Sequence, residues 1–367
     1  MRMRNVVILG VSGSIGRSAL KVARDIPERM SVVGMSAHSN AGALAEAARE
    51  FPMAKTAMSG GAGGGDRLVE LATLPEADLV LIAIVGTAGL GPALAAIEAG
   101  KDIAVASKEI LVMAGEIVMA AAQRRGVRVL PVDSEHNAIF QCLDGRDTGS
   151  VRRLILTCSG GPFRKTPVGE LENVTPGMAL RHPTWSMGPK ITIDSATLFN
   201  KALEMIEARW LFDIGMERVD VVVHPQSIVH SMVEFVDRSI LAQLSHSDMC
   251  LPIQHVVTWP ERVTNTLRPL DFAELGRLDF EAPRREDFPA LDLAVEAGTL
   301  EGTRPAVLNA ANEVAVEAFL AGRISFPGIW RTVAAVLGSC GHTGHPDLET
   351  ILAADAEARA LAKALTD

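Results

Sequence analysis

The sequence predicts an α/β protein with a doubly wound parallel sheet at its N-terminus, an α+β middle domain and a small C-terminal helical bundle. Short buried strands alternate with helical stretches up to residue 132, which is the order typical of parallel sheets. Two strands at 232–236 and 240–244, joined by a short turn, predict an antiparallel hairpin. After residue 285 apolar residues recur at helical spacing, which predicts the bundle.

A chain of 367 residues is longer than one compact core usually holds, so several domains are expected. The changes in pattern place a first domain at 1–132, an α+β domain at 133–258, a Pro-rich linker at 259–284 and a helical domain at 285–367. Within the second domain a long segment at about 159–190 is rich in Gly and Pro. Long loops of this kind are commonly lids or binding loops.

The composition limits the classes of partner. The net charge of −9, from 35 basic and 44 acidic residues, argues against non-specific binding to nucleic acid or to anionic membranes. The four cysteines lie far apart without a C-x-x-C pair, which is typical of reduced thiols in a cytoplasmic protein. No apolar run reaches transmembrane length. We therefore expect a cytoplasmic protein without nucleic-acid or membrane partners.

The first strand, at 5–10, leads into the glycine turn G-V-S-G-S-I-G at 10–16 and then into a helix at 17–24. Strand, glycine turn and helix together predict a pyrophosphate site. The glycines let the backbone approach the anion, and the helix N-terminus supplies N–H groups. The spacing is G-x-x-G-x-x-G rather than G-x-G-x-x-G, so a merely tight turn between strand and helix remains the alternative.

The second strand, at 31–36, ends in A-H-S-N without the acidic residue that usually holds the ribose of NAD, and this favours NADP. Further strands are predicted at 78–85 and 102–106, with a helix at 90–99 between them. Lys108 follows the second of these strands. It could reach a bound anion or a substrate hydroxyl; alternatively it is a solvated lysine that pairs with Glu109.

Residues 131–137, P-V-D-S-E-H-N, follow the next predicted strand and lie at the usual ligand edge of an open α/β sheet. In an extended chain Asp133 and Glu135 leave on the same side. Two carboxylates so placed repel each other unless a proton or a cation lies between them. The segment therefore predicts a cation site. The plainer alternative is a strand-end Asp133, a helix-capping Ser134 and a solvated Glu135.

A helix beginning at position 194 or 195 and continuing to 207 is predicted from its apolar spacing. Asn200, Lys201 and Glu204 then share one face. An amide, an ammonium and a carboxylate on one face suit a phosphorylated polyol bound beside a metal ion. The alternative is an exposed ion pair between Lys201 and Glu204, worth a few tenths of a kcal/mol.

Three further features bear on function. Trp185, in the predicted lid, either excludes water from a ligand or anchors the loop on the core. His230 is predicted to be structurally bonded rather than catalytic. The segment N-A-A-N-E at 309–313 is more polar than a core helix requires.

These stretches together strongly resemble the 1-deoxy-D-xylulose 5-phosphate reductoisomerase family. The matches run in family order over nearly the whole chain, and so many collinear motifs are very specific. They are G-x-S-G-S-I-G at 10–16, A-x-K-E at 106–109, P-V-D-S-E-H-N-A-I-F-Q at 131–141, S-G-G-P-F at 159–163, H-P-x-W-S-M-G at 182–188, D-S-A-T-x-x-N-K-x-L-E at 194–204, H-P-Q-S-I-V-H-S-M-V at 224–233 and N-A-A-N-E at 309–313.

The resemblance implies a homodimer that takes NADPH and either Mg²⁺ or Mn²⁺. It implies conversion of 1-deoxy-D-xylulose 5-phosphate to a branched aldehyde and reduction of that aldehyde to 2-C-methyl-D-erythritol 4-phosphate, in non-mevalonate isoprenoid biosynthesis. Asp133, Glu135 and Glu204 are the implied metal ligands, and with Lys108 they are the implied catalytic residues. Three carboxylates without thiolate or imidazole suit Mg²⁺ or Mn²⁺ rather than Zn²⁺.

The resemblance also assigns binding residues. The implied substrate-binding residues are Lys108, Ser134, Glu135, Ser159, His182, Trp185, Ser195, Asn200, Lys201 and Glu204. The implied cofactor-binding residues are Gly10, Ser12, Gly13, Ser14, Ile15, Ala37, His38, Ser39, Asn40, Ser107, Glu109 and Gly188.

Some positions depart from the commonest family pattern. Ser39 stands where many members carry a basic residue, Ser107 where Asn is usual, and Cys250 where Arg is frequent. The first departure bears on the strength of the preference for NADPH. Two rival hypotheses are a metal-free NAD(P)-dependent dehydrogenase of a semialdehyde or sugar phosphate, and a dinucleotide sensor without enzymatic activity.

Overall fold

The computed structural model describes residues 3–182, 185 and 187–367. The chain divides by packing into two compact units, each built from segments that are distant in sequence. The division into functional domains at residues 132, 258 and 284 stays a prediction. The first unit comprises Met1–Ile110, Glu116–Asn137 and Asp248–Pro269. The second comprises Leu111–Gly115, Ala138–Ser247 and Leu270–Asp367.

The regular elements of the described residues are as follows. The strands are β1 (Arg4–Leu9), β2 (Met30–Ala37), β3 (Lys55–Met58), β4 (Leu79–Ile82), β5 (Asp102–Val105), β6 (Val129–Pro131), β7 (Val151–Cys158), β8 (Val219–Val223), β9 (Val229–Phe235) and β10 (Ile240–Leu244). The α-helices are α1 (Ser14–Asp25), α2 (Ala41–Glu50), α3 (Gly64–Ala72), α4 (Leu90–Glu98), α5 (Glu109–Arg125), α6 (Ser134–Leu143), α7 (Pro176–Ala179), α8 (Pro189–Thr197), α9 (Phe199–Phe212), α10 (Cys250–Thr258), α11 (Phe272–Leu275), α12 (Ala290–Leu300), α13 (Arg304–Leu320), α14 (Gly328–Ser339) and α15 (Leu348–Thr366).

The first unit contains a parallel sheet with the strand order β3-β2-β1-β4-β5-β6. This order confirms the predicted doubly wound sheet, and its topological switch point lies between β1 and β4. The apolar residues 6–9 of β1 are fully buried, as expected of a central strand covered on both faces. Near the other end of this unit's sequence, α10 packs on α1 and on β6.

The turn after β1 requires its glycines. Gly10 has φ of 102°, and a Cβ there would lie 2.5 Å from the carbonyl oxygen of Ala83. A Cβ on Gly16 would lie 2.3 Å from the carbonyl oxygen of Gly10. Both distances are far below van der Waals contact, so the close approach of β1, β4 and α1 depends on residues without a side chain.

The second unit contains a mixed sheet with the strand order β10-β9-β7-β8. β7 pairs in parallel with β8 and antiparallel with β9, while β9 and β10 form the predicted hairpin. The core of this unit continues from the sheet through α9 into the helices α12–α15. Phe199, Phe319 and Phe326 are the largest of its fully buried side chains. The predicted mixed sheet and C-terminal helices are therefore confirmed.

The single helix predicted over 194–207 is wrong, because the chain forms two helices there. α8 ends at Thr197 and α9 begins at Phe199, with Leu198 between them at a φ of 65°. No glycine marks this left-handed residue in the sequence. The Leu198 side chain is buried in the core, and its packing offsets the cost of the unusual backbone conformation.

The predicted lid segment contains the 3₁₀ helix Val168–Asn173 and the short α7. Pro183, Thr184 and Ser186, which belong to the predicted lid, lie outside the described residues. Across the described ranges, the helices are all too short or too polar to cross a membrane.

Candidate active site

Lys108 and Asp133 meet at one edge of the sheet of the first unit. They follow β5 and β6, and these parallel neighbours end side by side. The Lys108 Nζ lies 2.6 Å from Asp133 Oδ2, and the two side chains are only 6% and 18% exposed. The alternative of a solvated lysine is therefore wrong. Glu109, the next residue, accepts a hydrogen bond of 2.9 Å from the Ser107 hydroxyl.

The extended geometry expected around Asp133 is wrong, because α6 already begins at Ser134. Asp133 Oδ1 accepts a hydrogen bond of 2.9 Å from the Ser134 N–H, and the Asp133 carbonyl accepts one of 2.8 Å from the Asn137 N–H. Asp133 thus caps the N-terminus of α6, where a negative charge is favourable. Glu135 is in the first helical turn, and its Oε2 accepts a hydrogen bond of 2.6 Å from the Ser134 hydroxyl.

In the second unit, α9 brings an amide, an ammonium and a carboxylate together as predicted. Asn200 Nδ2 donates to Glu204 Oε1 at 2.5 Å, and Lys201 forms a salt bridge with Glu204 Oε2. Glu204 is 0% exposed and Lys201 is buried, so the alternative of an exposed ion pair is wrong. A carboxylate can be buried only where charge and hydrogen bonds compensate its lost hydration, and both neighbours supply that compensation.

His182 connects two serines that are distant in sequence. Its Nε2 lies 3.1 Å from the Ser159 hydroxyl and 3.0 Å from the Ser195 hydroxyl. Its Nδ1 accepts a hydrogen bond of 2.9 Å from the Trp185 backbone N–H. Burial lowers the pKa of His182, so the imidazole is neutral near pH 7. Because Nδ1 is an acceptor, the proton of the neutral ring lies on Nε2, and the serines keep their own O–H donors for another acceptor.

Two glycines allow the loop after β7 to approach the end of α8. Gly160 and Gly161 have φ of 80° and 65°, and a Cβ on Gly161 would lie 2.8 Å from the Ser195 carbonyl oxygen. The Gly161 N–H donates to the Ser159 hydroxyl oxygen at 3.2 Å. The sequence S-G-G therefore places Ser159 beside Ser195, with His182 between them.

Trp185 lies over His230 with ring centroids 6.4 Å apart and an interplanar angle of 55°. His230 is buried at the start of β9, and Trp185 is half-buried. The ring contact gives the described part of the lid an aromatic surface against the sheet. Both alternatives for Trp185, closure over a ligand and attachment to the core, stay predictions.

The implied cofactor residues lie at the carboxyl ends of three strands, with one exception. Gly10 to Ile15 form the turn after β1, Ala37 to Asn40 end or follow β2, and Ser107 and Glu109 follow β5. Asn40 also caps α2, since its Oδ1 accepts a hydrogen bond of 3.0 Å from the Ala43 N–H. The exception is Gly188, which precedes α8 in the second unit.

One contact was missed by reasoning from the sequence. Asp194, considered only as a helix cap, is buried within α8 and bonds to Asn312 of the polar segment N-A-A-N-E. The excess polarity of that segment was the signal. That polarity alone indicated neither the contact nor the partner.

The fold and these buried acid–lysine and histidine–serine groups define an α/β enzyme with a doubly wound N-terminal sheet. Family models cover most of the chain: 1-deoxy-D-xylulose 5-phosphate reductoisomerase matches residues 6–63 and 54–115, its C-terminal domain matches 129–212, and the DXP reductoisomerase C-terminal domain matches 244–361. The chain belongs to the 1-deoxy-D-xylulose 5-phosphate reductoisomerase family.

Individual relatives agree with the family models. The chain is 52% identical over 381 residues to the 1-deoxy-D-xylulose 5-phosphate reductoisomerase of Symbiobacterium thermophilum, with 98% of each chain covered. It is 50% identical over 375 residues to that of Pelotomaculum thermopropionicum, with 97% of each covered. These relatives confirm the resemblance inferred from the motifs.

Solved structures of relatives share the fold. The Zymomonas mobilis enzyme in complex with NADPH superposes with a TM-score of 0.92 at 44% identity over 100% of both chains. A DOX-P reductoisomerase in complex with NADPH, fosmidomycin and magnesium gives a TM-score of 0.90 at 38% identity, with 99% of this chain and 98% of that chain covered.

The lowered pKa of His182 predicts a loss of stability in mild acid. As the pH falls below about 6.5, the ordinary histidine value, the unfolded chain takes up a proton that the folded chain does not. The free energy of unfolding therefore decreases from that pH down to the folded-state pKa of His182, and this contribution then levels off. Urea denaturation at pH 7.5 and pH 5.5 should show a smaller decrease in His182→Gln than in the original protein.

His38→Gln is the matched control, because His38 is an exposed histidine of the first unit. Its denaturation should keep the full pH dependence. If His182→Gln and the original protein lose equal stability between the two pH values, burial of the neutral imidazole is not the cause.

Proposed function

We propose that this chain binds NADPH and one divalent cation, Mg²⁺ or Mn²⁺, and with them converts 1-deoxy-D-xylulose 5-phosphate to 2-C-methyl-D-erythritol 4-phosphate in the cytoplasm. The observation that carries the proposal is the fully buried Glu204, held by Lys201 and Asn200 on α9. Membership of the family over the full length supports it, as do the NADPH and magnesium complexes of solved relatives.

The residues fit a divalent cation. Asp133, Glu135 and Glu204 are the proposed metal ligands, and each offers carboxylate oxygens only. Hard cations such as Mg²⁺ and Mn²⁺ prefer such ligands. Two of these carboxylates form ion pairs with an ammonium group, Asp133 with Lys108 and Glu204 with Lys201. Their negative charges are therefore stabilised by nearby positive charge, which a bound cation would also supply. When bound, a divalent cation would stabilise the negative charge that develops on the substrate oxygens during the rearrangement.

The residues also fit a dinucleotide. Gly10 and Gly16 allow β1, β4 and α1 to pack closely at the turn, which keeps the N-terminus of α1 beside the end of β1, where a pyrophosphate would bind. The helix α1 begins at Ser14 and directs its first N–H groups towards this turn. NADPH would supply the hydride for the final reduction. His38, Ser39 and Asn40, exposed after β2, are proposed to bind its adenosine end.

Different side chains of this protein are proposed to bind different groups of the substrate. Ser159 and Ser195 keep their hydroxyl hydrogens for the phosphate oxygens, because His182 already donates from Nε2. Lys201 and Asn200 lie one turn from Glu204 and are proposed to bind the phosphate and the hydroxyl groups. Serine hydroxyls and an amide suit a phosphate without burying further charge.

Lys108 is proposed to hold a substrate hydroxyl and to lower its pKa, because its buried ammonium is a cationic donor next to Asp133, a proposed metal ligand. Trp185 is proposed to cover the substrate and to keep water from the branched aldehyde until it is reduced. Its ring lies over the buried His230, and this contact would hold the indole in a defined position.

Activity should depend on metal and on Glu135. Glu135→Gln removes one negative charge from the proposed ligand set, and we expect kcat to fall about a hundredfold, the loss typical of removing a major electrostatic stabiliser. The measurement is the decrease in NADPH absorbance with 1-deoxy-D-xylulose 5-phosphate and Mn²⁺, repeated in EDTA. Glu98→Gln is the control, because Glu98 forms surface ion pairs with Arg124 and Arg125 and is not a proposed ligand.

Full activity in EDTA, together with a near-normal rate for Glu135→Gln, would refute the metal-dependent mechanism. Such a result would favour the metal-free dehydrogenase instead. NADPH binding without turnover of any substrate would favour the dinucleotide sensor.

We also propose that the protein is a homodimer and that β10 forms the interface between its subunits. β10 is an edge strand that pairs only with β9 within the described ranges. Ile240 and Leu241 on this strand are 50% and 41% exposed, and Val236 beside it is 64% exposed. An exposed apolar edge strand is a template for pairing with a second copy, and a two-fold axis would let the same strand serve both subunits.

Leu241→Lys should therefore give a monomer, because a charge on the paired edge opposes association. Sedimentation equilibrium should give a mass of about twice 39.0 kDa for the original protein and about 39.0 kDa for the variant. Leu352→Lys is the control, since Leu352 is similarly exposed, at 47%, and lies on α15, outside the proposed β10 interface. A dimeric Leu241→Lys would exclude β10 as the interface.

A further inference from the structure

The helix α13 carries two asparagines that the proposed reaction does not use. Asn309 and Asn312 are both fully buried, although neighbouring positions of this helix are apolar core residues. An uncharged amide in a core is tolerated only where its groups find partners. Both amide nitrogens find one, but the two partners differ.

Asn312 reaches across to α8. Its Nδ2 donates to Asp194 Oδ1 at 2.9 Å, while Lys190 Nζ lies 2.7 Å from Asp194 Oδ2. Asp194 is itself buried, so its two oxygens are held by donors from two different helices. The amide must present its nitrogen here, because a carboxylate only accepts. Its Oδ1 has no hydrogen-bond partner among the described residues, so the contact with Asp194 determines its orientation.

Asn309 stays within its own helix. Its Nδ2 donates to Glu313 Oε1 at 3.1 Å, and Glu313 in turn pairs with Arg359 of α15 at 2.7 Å. Asn309 is as buried as Asn312 and lies three residues before it, yet within the described ranges its side chain forms no hydrogen bond with α8. The two asparagines are therefore matched in burial, residue type and helix, and they differ in the element that each one holds.

The helix α8, which Asn312 contacts through Asp194, also carries Ser195 of the proposed phosphate site. Ser195 directly follows Asp194, and its hydroxyl lies 3.0 Å from His182 Nε2. The loop containing Gly161 is seated against the Ser195 carbonyl and places Ser159 on the other side of His182. A shift of α8 would consequently change the spacing of both serines.

We propose that Asn312 is a positioning residue of the substrate site, which acts through Asp194 to fix α8 and with it Ser195, His182 and Ser159. This inference rests on the proposed function, since it assigns the phosphate of the substrate to the Ser159 and Ser195 hydroxyls that His182 orients. We expect this positioning contact to stabilise bound substrate and transition state equally, so its loss should appear in KM rather than in kcat.

The test is steady-state kinetics of Asn312→Ala in the full-length protein with NADPH and Mn²⁺. We expect KM for 1-deoxy-D-xylulose 5-phosphate to rise about tenfold, the size expected for losing a hydrogen bond to a charged group. The inhibition constant of inorganic phosphate should rise in parallel, and kcat should change by less than about threefold. Asn309→Ala should lose a similar amount of thermal stability with an unchanged KM.

A reciprocal exchange keeps the test valid if Asn312→Ala folds poorly. Asn312→Asp places a carboxylate against Asp194 and should raise KM at least as much as the alanine variant. The double variant Asn312→Asp with Asp194→Asn restores a donor and an acceptor, and its KM should return to within about threefold of the original value.

An original KM in Asn312→Ala would overturn the inference, and so would an equal rise in Asn309→Ala or a failure of the double variant to recover. Absence of turnover in the original protein would instead refute the proposed function. The two failures are therefore distinguishable.

Discussion

The burial of negative charge beside lysine is the constraint on which the rest of the site depends. Glu204 has no exposed surface, and its charge is retained because Lys201 and Asn200 lie within one helical turn of it. In the first unit the pair of Lys108 and Asp133 repeats the arrangement at the end of two parallel strands. Removing either lysine would leave a largely buried carboxylate without its main cationic partner. In each unit, therefore, the ion pair that stabilises the buried charge consists of residues that are also proposed to bind the metal or the substrate.

Much of the fold could be predicted, because its determinants are local. The fully apolar β1 and the glycines that follow it specify a central parallel strand and a close turn. The hairpin and the helical bundle could be predicted because apolar residues recur with a period of two in strands and of 3.6 in helices. Predictions failed where distant packing decided the backbone. Leu198 breaks a helix without a glycine because its side chain is held in the core, and α6 begins at Ser134, one residue after the strand-end Asp133, rather than later.

The site divides in the same way. The grouping of Asn200, Lys201 and Glu204 could be predicted from helical spacing alone. Contacts between distant segments carry no local pattern: His182 with its two serines, Lys108 with Asp133 and Asn312 with Asp194 are visible only in the structure. The resemblance named most of these residues without their partners. Cys250, a departure from the family pattern, adds no charge near pH 7, since burial raises the pKa of its thiol to about 12.

The central claim is that Glu204 shares one divalent cation with Asp133 and Glu135, and equilibrium binding of Mn²⁺ tests it without reference to turnover. Electron paramagnetic resonance titration should give one tight site per chain in the original protein. Glu204→Gln should weaken that site by at least about tenfold, whereas Glu98→Gln, which removes a carboxylate of a surface ion pair on α4, should leave it unchanged. Unaltered Mn²⁺ affinity in Glu204→Gln would contradict the account.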